Sequence, residues 1–272
     1  MLTRVITAVV LAPLLVALLL YGPPLWIASV VTAAGWLCAR ELLQMYSELR
    51  ATDRHLTALL CAMITASPTL GLRFWVLTVV CSVIVVLTLS LWRLKEVELA
   101  SRRAASMVLT LAYIGMFAAS LVAILHSTTA QTYSGSYPFG SSALLTLFAI
   151  VFAGDTAAYF AGRFFGKTKL YPLVSPKKTV EGTVGGLIGS MLAAAACSHW
   201  LLGSAELSSW VIVALLCGAI AQVGDLVESL FKRASGTKDS GSLLPGHGGM
   251  LDRLDGVLFA APAFWAWLQL RG

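Results

Sequence analysis

Nine long apolar stretches, at roughly 5–21, 25–39, 56–72, 74–92, 105–125, 142–162, 183–202, 208–231 and 250–270, leave little polar sequence between them. A helix that is apolar all round has no solvated face and is buried in a large core or a bilayer, and about 20 such residues cross the hydrocarbon. The chain is 58% hydrophobic and 12% charged, against about 45–50% and about 25% in soluble domains. A water-soluble fold is excluded on these grounds, and the expectation is an all-α, polytopic integral membrane protein with about nine transmembrane helices. Residues 1–140 hold about five of the spans, and 141–272 form a second region that carries the chemistry discussed below.

Charge placement tests this reading independently, because alternating spans leave Lys and Arg on alternating connections. With the N-terminus cytoplasmic, Arg4, Arg40, Arg50, Arg54, Arg93, Lys95, Arg102, Arg103, Arg163, Lys167, Lys169, Lys177, Lys178, Lys232, Arg233, Lys238 and Arg253 all fall inside. That is 17 of 19, leaving Arg73 and Arg271 outside. The first stretch leads through Gly22-Pro23-Pro24 into another without a small-residue cleavage site, so it is read as a span and not a cleaved leader. The net charge of +6 thus reflects topology, and no nucleic-acid partner is expected. Cys38, Cys61, Cys81, Cys197 and Cys217 lie within apolar runs without metal-type spacing and are read as reduced packing residues.

Acids inside such stretches are costly, at about 2.5–3.5 kcal/mol each near a helix centre, yet the second half holds several. Asp155 ends an apolar run, Asp225 and Glu228 share one helix, and Asp252 and Asp255 begin the last. Residues three apart lie on one helical face, so two helices can each turn a carboxylate edge toward one cleft. Hard oxygen donors of this kind suit Mg²⁺, which takes one or two carboxylates plus waters and substrate phosphates. The alternative is salt bridging to Lys232, Arg233 or Arg253.

The loop from Lys232 to Gly249 is dense in cations, glycines and hydroxyls, and His247-Gly248-Gly249 opens onto the last helix. Backbone N–H groups at glycines and helix N-termini favour phosphate. Ser175-Pro176-Lys177-Lys178-Thr179-Val180-Glu181-Gly182 repeats that recipe before the seventh helix, where Ser175 or Thr179 can cap it and the lysines can meet phosphate.

Residues Ser229 to Asp255 carry the pattern S-x-F-K-R-x₄-K-D-x-G-x₂-L-P-x-H-G-G-x₂-D-R-x-D. In this 229–255 signature the chain resembles the phosphatidate cytidylyltransferase (CDP-diacylglycerol synthase) family. SPKKTVEG and GDTAAYFAGRFFGK look like that family's other inner-face segments, and the resemblance covers about residues 150–272. It implies a membrane nucleotidyltransferase that joins CTP and phosphatidic acid into CDP-diacylglycerol and pyrophosphate. It also implies Mg²⁺, with room for a second, monovalent cation such as K⁺, and a multi-pass protein of a bacterial inner membrane with its active site facing the cytoplasm. A homodimer is compatible with it, although no interface motif stands out.

The expected metal ligands are Asp225 and Asp252, with Asp255 and Asp155 behind them. Lys177, Lys232, Arg233, Lys238 and Arg253 are expected phosphate contacts, and Ser175, Thr179 and His247 supporting polar groups, His247 either moving a proton or ordering its loop. A transporter is disfavoured because the acids cluster at inner helix ends instead of crossing the bilayer. A CDP-alcohol phosphotransferase would need D-G-x₂-A-R followed by D-x₃-D, where this chain has D-x₂-D.

Overall fold

The computed structural model describes residues 13–92, 96–128, 134–203, 206–241 and 248–271. Arg4 and the start of the first apolar stretch, Arg93, Lys95 and His247 lie outside the described residues. The described elements are helices α1 (residues 13–21), α2 (Pro24–Gln44), α3 (Ala51–Ala66), α4 (Leu72–Trp92), α5 (Val97–Thr110), α6 (Phe117–Leu125), α7 (Phe139–Phe165), α8 (Val180–Trp200), α9 (Leu207–Ala234) and α10 (Leu251–Arg271). A hairpin of β1 (Lys169–Tyr171) and β2 (Ser175–Thr179) lies between α7 and α8.

Among the described residues six helical segments are long and apolar enough to cross a membrane: Pro24–Gln44, Leu72–Trp92, Val97–Leu125, Phe139–Phe165, Val180–Trp200 and Leu207–Ala234. The all-α, membrane-type architecture is therefore present, with the small hairpin as a departure from all-helix. Element edges also move relative to the sequence. Helix α2 runs through Arg40 and Glu41 to Gln44, where the apolar run alone would end it at 39. Helix α3 starts at Ala51 and gives way to a 3₁₀ turn, Ser67–Leu70, that contains Pro68. Gly71 then takes φ 101°, a backbone state that favours glycine, to reverse the chain into α4. Helices α5 and α6 are joined by a π-helical turn, Leu111–Met116.

Contacts between loops sort the helix ends into two groups. At one end Tyr21 meets Tyr137 hydroxyl to hydroxyl at 3.1 Å, Ser134 Oγ donates to the Gly203 carbonyl at 2.8 Å, and Arg271 pairs with Glu206. At the other, Arg103 Nε donates to the Glu48 carbonyl at 2.7 Å and Ser106 Oγ to the Glu48 carboxylate at 3.0 Å. The hairpin and the start of α10 belong to this second end. One apolar cluster threads the bundle from Leu42 and Ile64 through Ile114 and Leu144 to Val257 and Phe264. Helix α4 buries only Trp75, Ser82 and Val86 and turns Phe74, Leu77, Val80 and Ile84 outward, as a helix facing lipid would.

The closest helix pair is α7 against α8, and small residues make it so. A Cβ at Gly182 would sit 2.9 Å from the Ala158 carbonyl oxygen, and one at Gly189 would sit 2.9 Å from that of Ala153. Backbones approach this closely only over small side chains. Ser190 Oγ completes the seam by donating to the Ile150 carbonyl at 2.9 Å. The seam brings Asp155 on α7 beside the start of α8, where the site begins.

Candidate active site

Four helix ends and the hairpin enclose a cleft of about 470 Å³. Helix α7 supplies Asp155, Tyr159 and Arg163; strand β2 supplies Lys177, Lys178 and Thr179; α8 supplies Thr183; α9 supplies Gln222, Asp225, Glu228 and Lys232; and α10 supplies Asp252, Arg253 and Asp255. The three-residue spacing on α9 and α10 does turn each acid pair toward common space.

Local sequence explains how the hairpin and α8 are held there. Thr179 is the N-cap of α8, its Oγ1 accepting from Gly182 N at 3.1 Å. Glu181, in the first turn, accepts from Lys167 N and Thr168 N at 3.1 Å each, so the acid at the positive end of the helix also fixes the exit of α7. Strand alternation separates the two lysines. Lys178 points inward and pairs with Asp225 at 2.8 Å, while Lys177 stays exposed at the rim.

Asp252 is the most heavily bonded carboxylate. Its Oδ1 accepts from Lys232 Nζ at 2.6 Å, and its Oδ2 accepts from Ser240 N at 2.9 Å, Ser240 Oγ at 2.8 Å and Gly249 N at 2.8 Å. Lys232 also pairs with the buried Glu228 one helical turn earlier. Asp155 and Asp255 differ: both line the cleft, and neither has an ion pair among the described residues. Asp255 lies close enough to Asp225 and Asp155 for their charges to interact.

Expected residues that do not line the cleft are Ser175, half-buried at the start of β2, Arg233, and Lys238, which is exposed on the loop after α9. Arg233 instead donates from Nε to the Val174 carbonyl at 3.4 Å, anchoring the hairpin turn. The physical reason is helical phase: Lys232 faces the cleft, so its neighbour is turned about 100° away.

The sequence alone does not single out Arg163, Tyr159, Gln222 or Glu41, and it offers Lys178 only as one of two lysines that can meet phosphate. Arg163 Nη1 donates to Tyr159 Oη at 3.0 Å, a pairing visible in retrospect as a four-residue spacing on α7. Glu41 is buried at the C-terminal end of α2 and accepts from Met250 N, Leu251 N and Ser240 Oγ. The N-terminal half contributes below the cleft as well. The π turn carries the Tyr113 ring into contact with Phe231 on α9 and Phe259 on α10, at centroid distances of 6.1 and 5.3 Å.

Helix α7 and the hairpin also carry exposed apolar side chains. Phe160 and Phe164 stack on the outer face of α7 with centroids 6.3 Å apart, and Phe165 and, at the hairpin turn, Leu173 are exposed.

Comparison with known protein families matches residues 2–271 to the cytidylyltransferase family. The chain belongs to that family. Among curated proteins this cytidylyltransferase-family chain is 48% identical over 125 residues to the phosphatidate cytidylyltransferase of Haemophilus influenzae, covering 44% of this chain and 43% of that protein. It is 47% identical over 119 residues to the enzyme of the same name from Staphylococcus saprophyticus, covering 44% and 46%. A third, from Staphylococcus aureus, is 46% identical over 121 residues, again covering 44% and 46%. The aligned stretches thus span less than half the length of each relative.

No group of three or more His, Cys, Asp and Glu in metal-binding arrangement exists among the described residues. Mg²⁺ does not need one, since it keeps several waters and completes its shell with substrate phosphate. Asp155 and Asp255 offer hard oxygen without an ion pair among the described residues, and line the same cleft as Asp225. These residues fit a Mg²⁺ ion held jointly with a phosphate ligand. The fit shifts weight within the expected set, because the oxygens of Asp252 are already engaged by four donors and a lysine-paired carboxylate is a poorer free ligand.

Proposed function

We propose that this protein is a phosphatidate cytidylyltransferase that converts CTP and phosphatidate to CDP-diacylglycerol and pyrophosphate. The observation that carries the reading is a cleft, at one end of a membrane-type bundle, lined by five cations and five acids, two of those acids having no ion pair among the described residues. The family membership and the names of the relatives support the substrate class. Nine spans with the N-terminus in the cytoplasm, a bacterial inner-membrane location, a cytoplasmic-facing cleft and the catalytic share of residues 141–272 belong to the same proposal, supported by the sorting of Lys and Arg.

Both reactants are polyanions, so positioning and charge neutralisation supply most of the rate. Arg163, Lys177 and Arg253 stand at the cleft surface where the CTP phosphates and the lipid phosphate meet. Lys178 and Lys232 hold Asp225 and Asp252 and can turn an ammonium toward phosphate as these enter. One or two carboxylates from among Asp225, Asp155 and Asp255 would hold Mg²⁺, which when bound would supply neutralisation of the developing phosphate charge. An oxygen of the phosphatidate phosphate forms a bond to the α-phosphorus of CTP as the bond from that phosphorus to the bridging oxygen breaks. The electron pair leaves with pyrophosphate. The nucleophile is already ionised near neutral pH, so the chain needs no strong general base.

The test is incubation of the purified protein with phosphatidate, Mg²⁺ and CTP labelled at the α-phosphate or at the γ-phosphate, followed by lipid extraction. The α-label is expected in the organic phase and the γ-label in the aqueous phase. Both labels remaining aqueous would reject the reading.

A further inference from the structure

We infer that Glu41, about 200 residues from the signature in sequence, is a positioning residue that sets the start of α10 and through it Asp252; the inference rests on the activity proposed above. The first N–H groups of a helix lack intrahelical partners and are usually met by an N-cap side chain. Helix α10 begins at Leu251, and the residue before it is Met250, whose thioether is a poor acceptor. Glu41 fills that role from another helix. Its carboxylate accepts from Met250 N at 3.0 Å and Leu251 N at 2.8 Å.

The same carboxylate is coupled to Asp252 through one hydroxyl. Ser240 Oγ lies 3.2 Å from Glu41 and 2.8 Å from Asp252, and the Asp252 backbone N–H points back at Ser240 Oγ at 3.3 Å. A hydroxyl has a single proton, so two carboxylates converge on one donor, and removing either changes what the other can hold. The packing leaves no slack. A Cβ at Gly241 would come 2.6 Å from a Glu41 oxygen, and Gly249 has no space for one against Ser240 and Glu41. Glu41 is 7% exposed, with backbone amides and a serine hydroxyl for partners and no ion pair among the described residues. A buried carboxylate that accepts from helix-end amides has its most favourable geometry at the positive end of a helix dipole. Asp252, and with it Lys232, inherits its place from this junction.

The experiment uses the full chain in lipid nanodiscs and two variants, Glu41→Gln and Glu41→Ala, with Glu98→Gln, in the exposed pair with Arg102, as control. Two readouts are taken, hydrogen exchange of the peptide covering 249–253, and kcat and KM for CTP. Glu41→Ala is expected to lose exchange protection in that peptide and about 10- to 100-fold in kcat at unchanged KM, the range for residues that orient a ligating side chain. Glu41→Gln keeps one acceptor oxygen and is expected to lie between Ala and wild type. Wild-type exchange at 249–253 in both variants, wild-type kcat in both, or a rise in exchange spread evenly over all helices would overturn the inference. If the unmodified chain transfers no label, the activity reading fails by itself, and the exchange measurement still decides whether Glu41 holds the helix.

Discussion

Lys178 Nζ lies 2.8 Å from Asp225 Oδ2, so that an ion pair lining the cleft pins the hairpin to α9. Its side chains are 24% and 39% exposed, and the pair is open to anything that enters. An arriving phosphate competes for the lysine while a cation competes for the aspartate, and the two exchanges favour each other. Lys178→Ala is therefore expected to raise KM for CTP by about tenfold, the loss of one charge-assisted contact of roughly 1.5 kcal/mol. Asp225→Asn is expected to lower kcat by about 100-fold or more. The double variant should fall short of the product of the two, as coupled neighbours do. Initial rates of label transfer at varied CTP decide this, and strict additivity would separate the two residues.

Asp252 accepts four hydrogen bonds, and asparagine can reproduce only part of that set. In Asp252→Asn the side-chain amide would turn an N–H₂ toward either Lys232 or the Ser240 and Gly249 donors, leaving one side mispaired. Turnover is expected to drop by about 100-fold or more, with the bundle still folded, as read by an unchanged far-ultraviolet circular dichroism spectrum. Turnover near that of the unmodified protein would remove Asp252 from the site.

Removal of divalent cations offers a test independent of mutation. Addition of excess chelator should abolish label transfer, and restoring Mg²⁺ should recover it, while helical content stays constant because the bundle core is apolar and contains no metal-type cluster among the described residues. Transfer that persists in chelator would dismiss the cation from the reaction.

The seam between α7 and α8 supplies a stability prediction. Gly189→Val would press a branched side chain against Ala157 and the Ala153 carbonyl oxygen. Overpacking of this sort typically costs about 1–3 kcal/mol. A lower midpoint of thermal unfolding in detergent, with KM for CTP unchanged, is the expected result. An unchanged midpoint would mean that the helices part easily, contrary to the packing described.

How far the sequence reached follows from the range of the interactions involved. The apolar stretches and the three-residue spacing of Asp225 with Glu228 and Asp252 with Asp255 are local patterns, and helical geometry converts them directly into faces. Glu41 was hidden because the apolar run stops short of it and its partners are about 200 residues away; nothing local distinguishes it from an ordinary charge at a helix end. The hairpin was hidden because Lys169–Tyr171 and Ser175–Thr179 are short and polar and hold Pro176, and two isolated strands have little stability of their own. They form here because Thr179 caps α8 and Arg233 bonds Val174. Lys177 and Lys178 are indistinguishable in composition, and only the strand's alternation leaves one exposed and turns the other to Asp225.

Phe160, Phe164, Phe165 and Leu173 are exposed on α7 and the hairpin, the same elements that supply Asp155, Arg163 and Lys178 to the charged cleft. A two-tailed substrate can then keep its chains among its neighbours and tip only its head group sideways. Its supply is governed by surface density in the leaflet and by two-dimensional diffusion, whereas the water-soluble partner arrives from three dimensions. Diluting the lipid with inert detergent should slow the reaction at constant total amount of both reactants.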